Sequence, residues 1–94
     1  MNNSINIKFK KLCKKAVVPT KATPGSVGMD LVATSRVETD KYIEYGLGFA
    51  TEMPSNVFAF IVPNSRISKY DLFIKNSPGT VDSDYRGEWK VRFG

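Results

Sequence analysis

The chain has 94 residues, with 14 Lys and Arg against nine Asp and Glu, one Cys and no His. This length fits one small domain, and a domain of this size buries only about 60–68% of its unfolded surface. The lack of His excludes His-based proton transfer within the chain, and a single Cys excludes an internal disulfide and a multi-cysteine zinc site. Any acid–base chemistry must therefore come from carboxylates, Lys, Tyr or bound water.

The net charge of +5 is concentrated near the N-terminus. Residues 1–21 contain six Lys and no acidic residue, whereas the remaining chain has eight basic and nine acidic residues. Such a segment could attract nucleic acid, but the favoured interpretation is a solvated edge strand that Lys protects from aggregation. Because Phe9 is the only aromatic residue in this segment, no platform for stacked bases is expected and nucleic acid is not favoured as a partner.

The sequence also bears on the expected location of the protein. It has no apolar run approaching the roughly 18 residues of a membrane-spanning helix. Its N-terminus lacks the apolar region of a signal peptide. The expectation is therefore a soluble protein in the reducing cytoplasm, with no membrane partner.

Apolar residues along the chain predict a series of short β-strands. Residues Ile5–Phe9 alternate between apolar and polar, the pattern of a half-buried strand. Val57–Val62 is a continuous apolar run and is expected to form a buried strand, and Trp89–Phe93 alternates again. Shorter candidate strands lie at Met29–Ala33, Leu47–Thr51 and Leu72–Lys75.

Pro and Gly recur in the gaps between these stretches and would interrupt any helix. No segment has helical periodicity with capping residues. The predicted class is therefore all-β, a sandwich or barrel of short strands. The final strand runs into Gly94 and is expected to leave an open sheet edge, which another chain or a longer domain would cover.

The densest group of chemically active residues lies at 76–87. Pro78 and Gly79 favour a tight turn, and Asp82 and Asp84 share one face of an extended backbone. Bent into a hairpin, this segment would present backbone groups, an amide, a carboxylate and an aromatic ring to one small ligand. An ordinary Asp-rich turn explains the same spacing equally well.

Two further polar groups are candidates for a site. Asp30 lies between apolar neighbours, where a buried carboxylate would need an Arg, backbone N–H groups or a metal-bound water. A turn-capping Asp is the alternative. Residues 63–71 follow the predicted buried strand and suit phosphate binding, although a plain polar loop is favoured. The hydroxyls and cations of that segment belong to Ser65, Arg66, Ser68 and Lys69.

These segments, taken in chain order, resemble the first three motifs of the trimeric dUTP pyrophosphatases (dUTPases). Thr23–Ala33 resembles Ala-Thr-Pro-Gly-Ser-Ala-Gly-(apolar)-Asp-Leu, and Pro63–Ser68 resembles Pro-Arg-Ser-Ser/Gly. Asn76–Gly87 resembles Asn-Ser-x-Gly-(apolar)-Ile/Val-Asp-x-x-Tyr-Arg-Gly. Ile7–Leu12 and Leu47–Pro54 are similar to the connecting strands of the family, so the resemblance covers nearly the whole chain.

The sequence departs from the family pattern in two places. Asn64 stands where the family has a phosphate-binding Arg. Arg66 is a candidate replacement, although its side chain would face the other way in an extended segment. The sequence also stops before the fourth motif and the glycine-rich C-terminal arm, so residues 1–94 correspond to the N-terminal two-thirds of a single dUTPase-like domain. A fragment and a shortened form both remain open.

The resemblance implies a jelly-roll-like β-barrel or sandwich that forms a homotrimer with shared active sites. It implies hydrolysis of dUTP to dUMP and pyrophosphate with Mg²⁺. Asp82 would activate the attacking water, Asp30 would hold Mg²⁺ through water, and Tyr85 would pack against the deoxyribose. The substrate-binding residues implied in this way are Asn64, Ser65, Arg66, Asn76, Gly79, Thr80, Val81 and Tyr85.

Other functions remain open beside this one. A catalytically inactive fragment that binds a nucleotide or a protein partner is favoured by the missing motifs and by Asn64. The related dCTP deaminases share the fold and a similar hairpin. They are disfavoured because Trp89–Phe93 follows the hairpin where a catalytic Glu would be expected.

Overall fold

The structure, a computed structural model, describes residues 6–75 and 79–94. Within these residues it is all-β, with one short 3-10 helix, η1. The elements in chain order are β1 (Lys8–Lys11), β2 (Ser35–Glu38), β3 (Ile43–Gly46), β4 (Phe49–Glu52), β5 (Ala59–Ile61), η1 (Ser65–Lys69), β6 (Gly79–Val81) and β7 (Lys90–Phe93). No helix in the described part of the chain is long and apolar enough to cross a bilayer.

Antiparallel pairing groups the strands into three small sheets. β1 pairs with β4, β5 pairs with β6, and β3 lies between β2 and β7. Among the described residues, β2 and β3 pair across a short turn, whereas β5 and β6 are separated by η1 and the other two pairs join strands that are not consecutive. The fold therefore depends on contacts between distant segments, whose formation costs loop-closure entropy.

The core is built around the fully buried ring of Phe49. Its centroid lies 5.4 Å from that of Phe9 and 5.2 Å from that of Trp89. The Trp89 indole N–H donates to the Thr51 hydroxyl at 3.1 Å, which satisfies both buried polar groups. The other buried members of this cluster are Leu47, Met53, Ile61, Ile74, Val81 and Val91.

The backbone of Trp89 connects two of the sheets. Its carbonyl accepts from the Leu47 N–H at 2.9 Å, and its N–H donates to the Phe49 carbonyl at 3.0 Å. Between those two residues, Gly48 has a φ of 73°, in the region that favours glycine. This corner brings the segment before β7 against the start of β4.

Several predicted strands are confirmed. β7 coincides with the predicted alternating segment, and Trp89 and Val91 are buried. β1 overlaps the predicted strand at 5–9 only at Lys8 and Phe9, since residues 6 and 7 precede it, and within β1 the half-buried Phe9 alternates with exposed Lys8 and Lys10. β4 overlaps the predicted strand at 47–51. Ile5, the first residue of the predicted N-terminal strand, lies outside the described residues.

The predicted strand at 57–62 forms over part of this range, but the prediction that it is buried is wrong for one of its faces. β5 covers only three of these residues, and of its two faces only the one carrying Ile61 packs into the core. Phe58, Phe60 and Val62 are 58%, 61% and 61% exposed. A continuous apolar run does not show which face is covered, and nothing in the described chain packs over the outer face of this two-stranded sheet.

Two shorter predicted strands are also wrong. Met29–Ala33 contributes only an isolated bridge between Asp30 and Thr20, and the stretch at 72–75 contributes one between Ile74 and Phe93. The hairpin of β2 and β3 was not predicted, since every residue of β2 is exposed and no apolar alternation marks it. The short η1 helix was likewise not predicted.

The expected open edge of the last strand is partly covered. Phe73 and Gly94 exchange two backbone hydrogen bonds, at 3.0 and 2.8 Å. The Lys75 N–H donates to the Arg92 carbonyl at 2.9 Å. The segment before residue 76 therefore lies along β7 and satisfies much of the edge opposite β3, although it is too irregular to count as a strand.

Candidate functional site

An open groove of about 480 Å³ lies where β6 faces β7 and β3. This volume is within the range of small-molecule sites. Its lining combines backbone of β6 with charged and aromatic side chains. The residues are Tyr42, Glu44, Ile61, Lys75, Gly79, Thr80, Val81, Asp82, Tyr85, Trp89, Lys90 and Arg92.

β6 places Asp82 at this groove. Gly79 and Val81 are buried and pair with β5, while Thr80 between them is exposed. The strand then ends in a turn in which the Asp82 carbonyl accepts from the Tyr85 N–H at 3.1 Å. As a result, the Asp82 side chain is solvent-exposed while it lines the groove.

The ring of Tyr85 is held over the turn that follows. Its hydroxyl donates to the Glu88 carbonyl at 2.8 Å. A Cβ on Gly87 would lie 2.6 Å from the Tyr85 hydroxyl oxygen and 2.8 Å from Cζ, closer than real Cβ contacts. Gly87 therefore leaves the space that the phenol ring occupies at the groove wall.

Glu88 connects the same turn to the backbone between β3 and β4. Its carboxylate Oε2 accepts from the Gly48 N–H at 3.0 Å, a contact between residues 40 positions apart. A Cβ on Gly46 would lie 2.5 Å from the same oxygen, so the carboxylate sits directly against the backbone of the β3–β4 corner. Glu88 was not predicted as a site residue, because a contact over such a distance leaves no local signal in the sequence.

Arg86 stabilises the turn through backbone contacts. Its Nη1 donates to the Ser83 carbonyl at 2.6 Å and lies 3.4 Å from the Tyr85 carbonyl. The ion pairs of the described residues do not include one between Arg86 and Asp84. The guanidinium instead donates to backbone carbonyls of the turn. Such a contact fixes only the Arg86 side chain, whereas an exposed ion pair would also cost the conformational entropy of a second side chain.

The second motif lies on η1 and outside the groove. The Asn64 side-chain oxygen accepts from the Arg66 N–H at 3.0 Å, so Asn64 is the N-cap of the helix. Asn64, Ser65 and Arg66 are all exposed. The expectation that Arg66 belongs to an extended segment is wrong, because the chain turns into a 3-10 helix at this cap.

Asp30 is also remote from the groove. Its N–H donates to the Thr20 carbonyl at 2.9 Å and its side chain is exposed, so of the two alternatives the buried carboxylate is wrong. Its apolar neighbours do not form a core strand, since Met29 is 55% exposed. Within residues 6–75 and 79–94 no three His, Cys, Asp or Glu side chains form a metal-binding group. A lone exposed carboxylate fits a Mg²⁺ ion that keeps most of its water shell.

The structure thus brings together one part of the predicted site. Five predicted residues share the groove, whereas Asp30 and the three residues at 64–66 lie elsewhere in the chain. Asn76 lies outside the described residues. The groove also contains Lys75, Lys90 and Arg92, which the sequence analysis did not consider. The five predicted residues are Gly79, Thr80, Val81, Asp82 and Tyr85.

Comparison with known sequences identifies relatives of this chain. The dUTPase family profile matches residues 14–93. The chain is 40% identical over 94 residues to a deoxyuridine 5′-triphosphate nucleotidohydrolase of Rhodococcus erythropolis, covering 97% of this chain and 57% of the relative. It is 42% identical over 86 residues to the protein of that name from Hydrogenobaculum sp., covering 87% and 60%. The chain therefore spans little more than half the length of these relatives.

Solved structures share its fold. A mutant dUTPase from phage phi11 of S. aureus, described for its coordination of a structural Mg(II) ion, superposes with a TM-score of 0.80 at 19% identity, covering 94% of this chain and 58% of that one. The dUTPase of Staphylococcus bacteriophage 80alpha with dUpNHpp gives 0.80 at 21% identity, covering 98% and 54%. With the profile match over most of its length, the chain belongs to the dUTPase family.

Proposed function

We propose that this chain is a dUTP diphosphatase that hydrolyses dUTP to dUMP and pyrophosphate with Mg²⁺. The proposal rests on one observation, that Asp82, Tyr85 and the residues of β6 line the same groove. The family match and the names of the curated relatives support the same reaction. Because the chain spans little more than half of those relatives, its own turnover is what an experiment must establish.

β6 is suited to bind the uracil ring through its backbone. Among the described strands it pairs only with β5, so backbone N–H and C=O groups on its other edge are available to a ligand. Exclusion of one methyl group contributes only about 1–3 kcal/mol to discrimination, and hydrogen bonds to the pyrimidine edge would add to this. In this proposal Asn76 adds an amide contact, and Tyr85 packs against the deoxyribose.

Asp82 would act as the general base. The chain has no His, and the exposed carboxylate of Asp82 can accept a hydrogen bond from a water in the groove. The water oxygen attacks the α-phosphorus, its proton passes to the Asp82 carboxylate, and pyrophosphate leaves with the electrons of the broken P–O bond. The chain's own contribution is to hold water and nucleotide in this geometry.

The remaining predicted residues fit an active site that is shared between subunits of a homotrimer. Asp30 and η1 lie away from the groove of their own chain, and their side chains are exposed. In the trimer, a neighbouring subunit would supply Asn64, Ser65 and Arg66 to the phosphates. Asp30 would hold a water of Mg²⁺, which when bound neutralises phosphate charge.

The test is pyrophosphate release from dUTP in the presence of Mg²⁺, with dCTP, dTTP and UTP as competing substrates. We expect release from dUTP alone. Replacement of Asp82→Asn should lower turnover by about 10²-fold or more, because a positioned base contributes 10²–10⁴-fold, and should leave dUMP affinity nearly unchanged. Asp84→Asn, two residues further on and outside the groove lining, is the matched control. Full turnover in Asp82→Asn would remove this carboxylate from the mechanism.

A non-catalytic nucleotide-binding chain is the second candidate. It is favoured by the capping role of Asn64 and by the position of Arg66, which leave the groove without the cation of the second motif. This candidate predicts tight, uracil-specific binding of dUpNHpp without pyrophosphate release from dUTP at any protein concentration. Measurable dUTP-specific turnover would exclude it.

A further inference from the structure

Three basic residues on β7 and the segment beside it line the groove. Lys90 and Arg92 alternate with buried Val91 on β7, so they share one face of that strand. Lys75 joins them from the neighbouring segment, because its N–H donates to the Arg92 carbonyl at 2.9 Å. All three basic residues line the same groove as Asp82.

The charge of Arg92 is already compensated. Its Nε donates to the Glu44 carboxylate at 3.1 Å, and its guanidinium carbon lies 4.5 Å from the centre of the Tyr42 ring. These contacts fix the guanidinium in one position against β3. Arg92 therefore lines the groove, but its charge is paired with the Glu44 carboxylate.

Lys75 and Lys90 are in a different situation. Over residues 6–75 and 79–94, neither ammonium group has a carboxylate within 4.0 Å. A Cβ placed on Gly94 would overlap the stem of Lys75, so that stem crosses the end of β7. The groove lining thus includes two lysines that have no ion-pair partner among the described residues, beside the strand that is suited to the base.

We propose that Lys75 and Lys90 bind the phosphates of the deoxyuridine nucleotide in this groove. The inference rests on the proposed function, and it assigns the phosphate charge to residues outside the three sequence motifs. Lys binds phosphate as a point charge with three donors, and a cleft lined by uncompensated cations concentrates its potential. The volume of about 480 Å³ accommodates the base at β6 and phosphate oxygens at β7.

The experiment compares three probes by calorimetry: dUpNHpp, dUMP and deoxyuridine, which carries no phosphate. We expect Lys75→Ala and Lys90→Ala each to weaken dUpNHpp binding by about five- to tenfold. A loss of this size lies between the contribution of an exposed ion pair and that of a charge-assisted hydrogen bond. Deoxyuridine affinity should not change in either variant. The wild-type affinity for dUpNHpp should fall with added salt more steeply than that of either variant.

Two controls separate this role from a general charge effect. Lys11→Ala removes an exposed lysine of β1 that does not line the groove, and it should leave dUpNHpp affinity unchanged. Lys90→Arg keeps the charge and should retain most of the affinity. If the wild type binds dUpNHpp and both alanine variants bind it equally well, the inference is wrong and the proposed function stands. If the wild type binds neither dUpNHpp nor deoxyuridine, the proposed function itself fails.

Discussion

At the scale of single residues, Gly87 is the position where a small change should move a functional side chain. A methyl group there would lie 2.6 Å from the Tyr85 hydroxyl, and the exposed phenol can yield by rotating away. Gly87→Ala should therefore lower dUMP affinity severalfold while the free energy of unfolding falls by about 1 kcal/mol or less, since only the exposed hydrogen bond to Glu88 is lost. Calorimetry and urea unfolding measure the two effects.

Gly25→Ala is the matched control for that change, because a Cβ at Gly25 meets nothing within 4 Å. It should alter neither quantity beyond about 0.5 kcal/mol. Unchanged dUMP affinity in Gly87→Ala would show that the position of the Tyr85 ring does not matter for binding.

The same residues show how far sequence reasoning reaches. Asp82 and Tyr85 could be predicted to share a site because they lie in one short segment, where a turn alone brings them together. Lys75 and Lys90 meet across β7 and a neighbouring segment, and the contact of Glu88 with Gly48 spans 40 residues. Contacts of that kind depend on strand pairing, which no local pattern specifies.

At the scale of elements, the carboxylate of Glu88 joins the turn after β6 to the β3–β4 corner. Glu88→Ala would leave the part-buried Gly48 N–H without its acceptor and should lower the free energy of unfolding by about 2 kcal/mol. Glu88→Gln keeps an acceptor and should cost about half as much. Urea unfolding measures both changes.

Glu38→Ala provides the comparison for a carboxylate on an exposed strand. Its pair with Arg36 at 3.2 Å lies on β2 with both side chains more than half exposed, so the loss should stay below about 1 kcal/mol. Equal losses in Glu38→Ala and Glu88→Ala would mean that the contact with Gly48 contributes nothing beyond surface charge.

The accuracy of the predicted strands follows from which faces are covered. β7 was predicted correctly, and the prediction for β1 holds at Lys8 and Phe9, because one face of each strand packs on the cluster of Phe49 and Trp89 and imposes alternation on the sequence. β2 has no covered face and therefore no such pattern. At β5 the residues of both faces are apolar although only one face packs in this chain, so the sequence pattern alone led to the wrong burial.

At the scale of the whole molecule, that outer face of β5 is the surface at which we expect copies of the chain to associate. Phe58 and Phe60 stack edge to face with centroids 5.0 Å apart, and together with Val62 they form an exposed apolar surface. Contiguous apolar surfaces of this kind mark interaction sites on soluble proteins. A chain of 94 residues also gains stability from burying such a surface against other copies of itself.

We therefore expect the chain to sediment as a homotrimer, with about three times the chain mass of 10.5 kDa, and Phe60→Ser to shift it towards the monomer. Val37→Ser is the control, because Val37 is 55% exposed on β2, in a different sheet. If the site is shared between subunits, Phe60→Ser should also lose dUTP turnover in proportion to the loss of trimer, although Phe60 is absent from the groove lining. A wild-type chain that sediments as a monomer at every concentration and still releases pyrophosphate would contradict both the trimer and the shared site.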